Sequence, residues 1–227
     1  MKKTNQPDCA SCAFPPREKV CMNPEGRPGK SCPTVSKKKL TGRAQKKYEE
    51  PGIKEFARQA SIQEGECYGG REKRPYVMHP TKPRILEICE FARKMGYTRL
   101  GLAFCVGLAK EAVLVNQIFR NQGFETVSVA CKVGCVPKEA IGVKENEKIF
   151  IGERETMCNP VLQATIVNDA KTDFNVLLGL CVGHDSLFFK YAEAPSTVLA
   201  VKDRVAGHNP LGPVYQSGGY YSWLNKP

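Results

Sequence analysis

Apolar and polar positions alternate along the second half of the chain as short buried runs and amphipathic stretches. Four apolar runs have the length and composition of buried strands: RLGLAF (99–104), FETVSVA (124–130), FNVLLGL (174–180) and STVLAVKD (196–203). Stretches with helical periodicity separate them, at 107–123, 159–172 and 185–194. Strands that alternate with helices in this way indicate right-handed crossovers onto a parallel sheet. We therefore predict an α/β protein with a Rossmann-like parallel sheet of about four strands and flanking helices.

The first part of the chain predicts two further regions. Residues 1–36 are rich in Cys, Pro, Gly and Lys and lack periodic apolar positions, so they cannot form a core unaided. Residues 37–96 predict helices, two of them separated by Pro51. A third, within 81–97, places one set of residues on a single face: Ile85, Ile88, Cys89, Ala92 and Met95. We expect this helical segment to pack on a core domain of residues 97–227.

The composition is ordinary for a globular protein and shows no membrane span. The 227 residues are 41% hydrophobic and 25% charged, and no apolar run approaches the roughly 18 residues that a membrane helix needs. The start, MKKTNQPDCASC, lacks the apolar centre of a secretory signal, so we expect a cytoplasmic location and no membrane contact. The net charge is +11, but its main concentration, at 30–50, shows no regular alternation of basic and aromatic residues. A solvated basic face is therefore favoured over a nucleic-acid site.

Eleven cysteines are the most distinctive feature of the composition. In a reducing compartment such a set indicates metal binding or catalysis rather than disulfides. Four of them follow the spacing C-x2-C-x8-C-x10-C, and these are Cys9, Cys12, Cys21 and Cys32. A Cys-x-x-Cys turn presents two thiolates to one ion, and two more complete a tetrahedral set. We predict a metal-binding knob over residues 1–36 that holds zinc or an iron–sulfur cluster; the alternative is a disordered tail with incidental cysteines.

A second set of cysteines follows the predicted strands. Cys105, Cys131 and Cys181 each stand directly after an apolar run, and Cys158 stands just before a helix. Parallel strands end at one edge of a sheet, so these four thiols should be neighbours. Soft, all-thiolate ligation favours zinc or an iron–sulfur cluster over hard ions. A closed structural zinc site is little needed by so hydrophobic a sheet, so we predict a cluster of the 4Fe–4S type, with Cys135 as a substitute or fifth thiol. The alternative is that these cysteines are small hydrophobic core residues.

Acid–base groups follow the same strand ends. His184 and Asp185 come shortly after the third strand, and Lys202 opens a Lys-Asp-Arg segment after the fourth. An imidazole or an ammonium group at such a position can transfer a proton or bind an anion, so we predict a catalytic role for His184, Asp185 and Lys202. The alternatives are structural, with His184 and Asp185 as a helix cap and the segments 202–204 and 207–210 as turns.

Several segments carry a resemblance to a known family: LGLAFCVGL, CKVG, CNPVLQA and LGLCVGHDSLFFKYAEAPSTVLAVKDRVAGHNPL. They resemble a bacterial and archaeal family known as domain of unknown function 1847, whose members are often described as predicted metal-binding proteins. The resemblance extends over nearly the whole chain, including the N-terminal cysteines. It implies metal binding, in mostly anaerobic organisms, with no established reaction.

These features predict a metal-dependent function and leave its class open. In one version the four thiols Cys105, Cys131, Cys158 and Cys181 hold a cluster. Alternatively, three of them hold it and leave one iron open to a small-molecule substrate for redox, dehydration or desulfuration chemistry. In a second, the protein is an electron carrier or redox sensor with a partner protein. A third is a zinc-stabilised binding module. The sequence decides neither whether the protein is an enzyme nor its oligomeric state.

Overall fold

Two compact units make up the chain, one ending at Gly65 and the other running from Glu66 onward. The computed structural model describes residues 6–226; the first five residues and Pro227 lie outside that description. The boundary between the units lies inside the helical segment predicted over residues 37–96. No helix in the described part of the chain is long and apolar enough to cross a membrane.

The first unit is helical after its cysteine-rich start. Helix α1 covers Pro33–Ser36, α2 covers Lys38–Lys47 and α3 covers Pro51–Glu66. Pro51 therefore opens a new helix, as the sequence predicted, because the first turn does not need the N–H group that proline lacks. Ahead of α1 the chain turns on backbone hydrogen bonds, such as the one from the Cys12 N–H to the Cys9 carbonyl at 3.3 Å.

The second unit alternates strands and helices. A short antiparallel pair, β1 (Tyr68–Gly69) and β2 (His79–Pro80), comes first and was not predicted. The remaining elements are α4 (Arg84–Lys94), β3 (Arg99–Phe104), α5 (Ala109–Asn121), β4 (Glu125–Ala130), α6 (Pro160–Asp169), β5 (Phe174–Leu180), α7 (His184–Tyr191), β6 (Ser196–Val201) and α8 (Leu211–Tyr215). The connection from β4 to α6 is long and contains two 3-10 turns, Lys138–Ile141 and Glu145–Glu147.

The four longer strands form one parallel sheet in the order β4-β3-β5-β6. This confirms the predicted α/β class with a four-stranded parallel sheet and flanking helices. The chain moves outward from β3 to β4 and then crosses back, so that β5 pairs with the other side of β3. In doubly wound sheets such a reversal opens a crevice at the carboxyl ends of the two central strands.

Strand β5 is buried along its whole length. This explains its continuous apolar sequence, because a central parallel strand is covered on both faces. Its polar side chain, Asn175, accepts a hydrogen bond from Thr172 at 2.9 Å and contacts Ser196 at 3.3 Å. Gly101 on β3 leaves room for this amide, since a Cβ there would lie 2.1 Å from Asn175 Oδ1. A satisfied amide thus occupies the amino end of the sheet, opposite the thiols.

Two details differ from the sequence prediction. On α4 the buried residues include Phe91, whereas Ile85 and Met95 are only half-buried. The ring of Phe91 lies 5.6 Å from that of Phe174 on β5, so an aromatic contact sets which face of the helix is buried. The tail, predicted as irregular, contains α8 and a 3-10 turn at Ser222–Asn225.

Candidate thiol site

Strand pairing brings the first two predicted thiols together. In the parallel register Phe104 on β3 pairs with Ala130 on β4, and the next residues are Cys105 and Cys131. The N–H group of Cys131 donates to the Phe104 carbonyl at 2.8 Å, which continues the ladder one step beyond the strand. The two thiols consequently lie in hydrogen-bonding contact at the carboxyl edge of the sheet.

The start of α6 brings a third thiol to the same place. The N–H group of Asn159 donates to the Cys131 carbonyl at 2.7 Å, and the Asn159 side chain caps α6 by accepting from the Leu162 N–H at 3.0 Å. The Cys158 Sγ atom consequently lies 3.7 Å from Cys131 Sγ. Cys105, Cys131 and Cys158 form a row with Cys131 in the middle, which we call the core thiol cluster.

The three thiols of the core thiol cluster differ in their pKa values and in their exposure. Cys105 and Cys131 expose 8% and 2% of their surface, and Cys158 is half-buried. The hydrogen bond from Cys131, helped by a backbone N–H and the Lys202 ammonium, lowers the pKa of Cys105 to about 5. Hydrogen bonds from Cys131 and His184 lower the pKa of Cys158 to about 4. The pKa of Cys131 is raised because its hydrogen bonds with Cys105 and Cys158, together with burial, favour its protonated form. The thiolate form is therefore favoured at the two outer sulfurs, Cys105 and Cys158, and the protonated form at Cys131.

Two of the predicted catalytic groups contact this cluster. The imidazole of His184, at the start of α7, bonds to the Cys158 sulfur, which raises the imidazole pKa. The Lys202 ammonium lies beside Cys105, next to Gly107. A Cβ on Gly107 would lie 3.0 Å from Lys202 Nζ and 3.8 Å from Cys105 Sγ. Glycine at this position of the turn after β3 therefore admits the ammonium group to the thiol.

Cys181 follows β5 as predicted, but its sulfur contacts a cation. The sulfur accepts a hydrogen bond from the Arg204 guanidinium at 3.2 Å. Just before it the pairing of β5 with β6 shifts register at Leu178–Leu180, where Gly179 has a φ of +69°. Such bulges change the direction of the side chains around them. The structure thus joins three of the four predicted thiols in a row and places Cys181 beside Arg204.

The third predicted catalytic group, Asp185, acts at longer range. Its carboxylate accepts the Ser186 N–H at 2.7 Å. Gly183 occupies the N-cap of α7 without a side-chain bond, so neither His184 nor Asp185 caps this helix. The charge of Asp185 does contribute to raising the pKa of His184, after the larger effect of Cys158. Asp185 is therefore a group that favours the imidazolium form of its neighbour.

The segment after β6 is a tightly bonded turn, which we call the KDR turn (residues 202–208). One oxygen of the Asp203 carboxylate accepts the N–H groups of Val205 at 2.9 Å and Ala206 at 2.8 Å. The Asp203 N–H in turn donates to His208 Nδ1 at 3.1 Å. The segment is thus a turn, one of the two alternatives that the sequence left open, and it carries Lys202 and Arg204 to the thiols.

Another thiol lies on the connection between Cys131 and Cys158. The Cys135 sulfur accepts hydrogen bonds from both terminal nitrogens of Arg154, each at 3.6 Å. This arginine lowers the pKa of the exposed thiol.

Cys89 on α4 differs, because it is fully buried and its burial raises its pKa, which confirms the packing role predicted for it.

The four N-terminal cysteines line one cavity in the first unit. The cavity has a volume of about 880 Å³, and its wall includes Cys9, Cys12, Cys21 and Cys32 together with basic side chains such as Lys19 and Lys30. Gly29 lets the backbone approach one of these thiols, since a Cβ there would lie 3.3 Å from Cys12 Sγ. The four cysteines therefore border a common space, and the metal expected there stays a prediction.

The donor types of the core thiol cluster fit a metal–thiolate centre, and its one S–S distance fits two ligands of a single ion. Two thiolates on one tetrahedral ion at the usual Zn–S length lie about 3.8 Å apart, close to the spacing of Cys131 and Cys158. Thiolates are also the ligands that zinc and iron–sulfur centres prefer. Within residues 6–226, no group of three or more His, Cys, Asp or Glu side chains is arranged to hold a metal ion. In their present positions the described side chains therefore do not form a complete set of metal ligands.

Comparison with known proteins places this site in a family. Residues 32–199 match the family model described as Protein of unknown function (DUF1847). The chain belongs to this family. The uncharacterized protein MJ0455 of Methanocaldococcus jannaschii is 38% identical over 207 residues, which cover 91% of this chain and 93% of that protein, and no solved structure matches. The family resemblance seen in the sequence is confirmed, and the matched range contains the core thiol cluster but only Cys32 of the N-terminal cysteines.

Sequence reasoning missed two groups at the thiol site. The Lys132 ammonium lowers the pKa of Cys158, and its position directly after Cys131 was an available signal. The buried Gln163 side chain donates to the carbonyls of Val129 at 2.7 Å and Phe104 at 3.3 Å, which ties the ends of β3 and β4 to α6. A glutamine amid the apolar residues of α6 could have indicated such a role.

Proposed function

We propose that this protein is a metal–thiolate protein in which the core thiol cluster holds an iron–sulfur centre of the 4Fe–4S type. The centre would act in redox, dehydration or desulfuration chemistry on a small molecule. The observation that supports this proposal is the convergence of three thiols from three separate chain segments at one edge of the sheet, two of them with a lowered pKa. Thiolates are the form that binds metal, and the lowered pKa of Cys105 and of Cys158 favours that form.

The proposed ligands are Cys105, Cys131 and Cys158, with Cys181 as the fourth candidate. The contact between Cys181 and Arg204 favours the version in which three thiolates hold the centre and one position stays open. When bound, such a centre supplies Lewis-acid or electron-transfer chemistry at the open position. The N–H of Val106 donates to the Cys131 sulfur at 3.4 Å, and bonds of this kind adjust the charge on ligating sulfur.

The chain's own groups can manage protons beside this centre. The His184 imidazole lies next to Cys158, and its raised pKa favours the protonated form, which can act as a proton donor. Asp185 favours the charged form of the imidazole before the transfer. The Lys202 ammonium beside Cys105 stabilises negative charge that develops on a bound molecule.

A thiol redox sensor is the second candidate, favoured by the 3.7 Å between the Cys131 and Cys158 sulfurs. The Cys158 thiolate would attack a peroxide, which gives a sulfenic acid and releases hydroxide. The Cys131 thiol would then displace water from that sulfenic acid and form a disulfide. This function needs no metal at the core thiol cluster.

We also propose the N-terminal cysteines as a separate centre that holds zinc or a second iron–sulfur cluster. Their support is the shared cavity and the Cys-x-x-Cys turn at its edge. Because they lie in the first unit, their metal content can be tested independently of the core thiol cluster.

Metal and acid-labile sulfide analysis with absorption spectra tests these proposals on protein purified without oxygen. Wild type is compared with Cys131→Ser, Cys9→Ser and Cys89→Ser, the last being a buried thiol outside both sets. We expect iron and sulfide to fall in Cys131→Ser and to persist in Cys89→Ser, while Cys9→Ser loses only the N-terminal metal. Zinc alone, lost only in Cys9→Ser, would reject the cluster. A metal-free core that forms the Cys131–Cys158 disulfide with peroxide would support the sensor.

A further inference from the structure

Basic side chains outnumber their acidic partners at the carboxyl edge of the sheet. Four of them reach the thiols, namely Lys132, His184, Lys202 and Arg204. In the described part of the chain, none of the four forms an ion pair with a carboxylate. The low-pKa thiols Cys105 and Cys158 offset only part of this positive charge. An anion is the class of ligand that such a surplus favours.

Two of these cations, Lys202 and Arg204, extend from the KDR turn, whose backbone is held by hydrogen bonds. Its one carboxylate, that of Asp203, is used inside the turn by two backbone N–H groups and does not neutralise Lys202 or Arg204. His208 closes the turn from the other side. Cations held on a bonded turn lose less freedom when they bind a ligand than cations on a mobile loop would.

Arg204 is the group best placed to receive a ligand. Its side chain is exposed, and its guanidinium contact is with a sulfur that is itself only half-buried. A guanidinium offers two parallel N–H groups that match the two oxygens of a carboxylate. It also lies beyond the carboxyl ends of β5 and β6, close to the reversal in strand order where doubly wound sheets bind ligands.

We propose that the small molecule of this site is an organic acid whose carboxylate binds Arg204, with Lys202 as the second cation. This inference rests on the proposed function in treating the thiol edge as a small-molecule site. The carboxylate contact itself depends on the KDR turn and needs no metal. Binding can therefore be measured on metal-free protein, where loss of the metal centre has no influence.

A pair of alkylating reagents tests the inference at Cys181. Iodoacetate carries a carboxylate and iodoacetamide is its neutral analogue; with either, the thiolate forms an S–C bond and iodide leaves. The ratio of the two rates cancels the fraction of thiolate present, so it reports recognition of the carboxylate. We expect this ratio at Cys181 to exceed the ratio at the exposed Cys21 by about tenfold, as a focused positive site raises local anion concentration.

Two variants separate the site from the overall charge of the protein. Arg204→Gln should reduce the ratio at Cys181 to that at Cys21. Arg120→Gln removes the same charge from an exposed arginine that bonds Thr126, and it should leave the ratio unchanged. Equal ratios at the two thiols of the wild type, or the same decrease in both variants, would overturn the inference.

Ligand competition defines the class of anion. Succinate should slow the reaction of Cys181, and succinamide, its uncharged analogue, should not. Protection by inorganic phosphate without protection by succinate would overturn the carboxylate assignment. If Cys181 resists both reagents, calorimetric titration with succinate decides: binding that Arg204→Gln abolishes supports the inference, and no binding overturns it. The metal content of the same preparations reports separately on the proposed function.

Discussion

The Sγ atom of Cys131 lies 3.7 Å from that of Cys158, although 27 positions separate the two residues along the chain. One backbone bond, from the Asn159 N–H to the Cys131 carbonyl, closes the connection between them and starts α6 beside the end of β4. The strand register supplies the third thiol, Cys105, on the other side of Cys131. The strand register and the start of α6 therefore place the three thiols in a row, so the contacts among these thiols depend on the fold.

The first prediction concerns the pH at which Cys158 reacts. Its pKa is lowered to about 4, so in metal-free protein the thiolate should persist as the pH falls to about 5 and should be lost as the pH falls through about 4. The iodoacetamide rate at Cys158, read by mass spectrometry, should follow that titration. Cys89 is the control, because burial raises its pKa and it should stay unreactive throughout. A Cys158 rate that rises only near the ordinary thiol pKa of about 8.5 would contradict the proton arrangement.

How far the site could be predicted depends on which interactions place each residue. Cys105 and Cys131 were predictable, because apolar runs identify β3 and β4 and neighbouring parallel strands end together. Cys158 was predictable from the helix that Pro160 opens, since a crossover helix starts at the same edge. The contact of Cys181 was not, because it depends on a bulge that the apolar pattern does not encode.

The cations were the least predictable part of the site. Which basic group meets which thiol depends on turns whose geometry comes from side-chain-to-backbone bonds, such as those of Asp203 in the KDR turn. The pairing of Arg154 with Cys135 depends in the same way on the long connection between β4 and α6. The order of strands and helices was predictable because it rests on burial alone, which the apolar pattern reports directly.

A second prediction concerns Gly179 in the bulge before Cys181. A Cβ at this position would lie 1.9 Å from Leu108 Cδ1, and φ is +69°. Gly179→Ala should lower the free energy of unfolding by about 1 to 2 kcal/mol through the backbone conformation and by roughly 1 to 3 kcal/mol more through overpacking. Gly96→Ala is the matched control, with φ of +71° and no atom near the added carbon, so it should show the backbone effect alone. Denaturant unfolding compares the two, and equal losses would show that Leu108 moves aside freely.

A third prediction concerns Lys148, which anchors the long connection between β4 and α6. Its ammonium contacts Glu139 at 2.5 Å, Glu145 at 2.7 Å and the Glu153 carbonyl at 3.0 Å. Lys148→Met should lower Tm and speed proteolysis within this connection, because both the ion pairs and the carbonyl contact are lost. Lys144→Met, at an exposed position on the same connection, should change neither.

The Lys148 contacts also predict a pH dependence. Lys148 lowers the pKa of Glu139 and of Glu145, so their contribution is present above the ordinary glutamate pKa of about 4.3 and is lost as the pH falls through the lowered values. The pKa of Lys148 itself is raised, so its contribution persists until the pH rises past the ordinary lysine value. The Tm difference between wild type and Lys148→Met should consequently shrink in acid. A difference that stays constant below pH about 4 would contradict the role of these ion pairs.

The last prediction treats Asp203 as a positioning residue for the cations of the KDR turn. Asp203→Ala removes the oxygen that accepts the Val205 and Ala206 N–H groups, so Arg204 should lose its fixed position beside Cys181. The iodoacetate-to-iodoacetamide ratio at Cys181 should then fall toward that of Arg204→Gln. Asp203→Asn keeps an oxygen acceptor without the charge and should retain the wild-type ratio. Loss of the carboxylate charge alone would raise the ratio, so an Asp203→Ala ratio at or above the wild-type value would show that the turn is not what holds the cations in place.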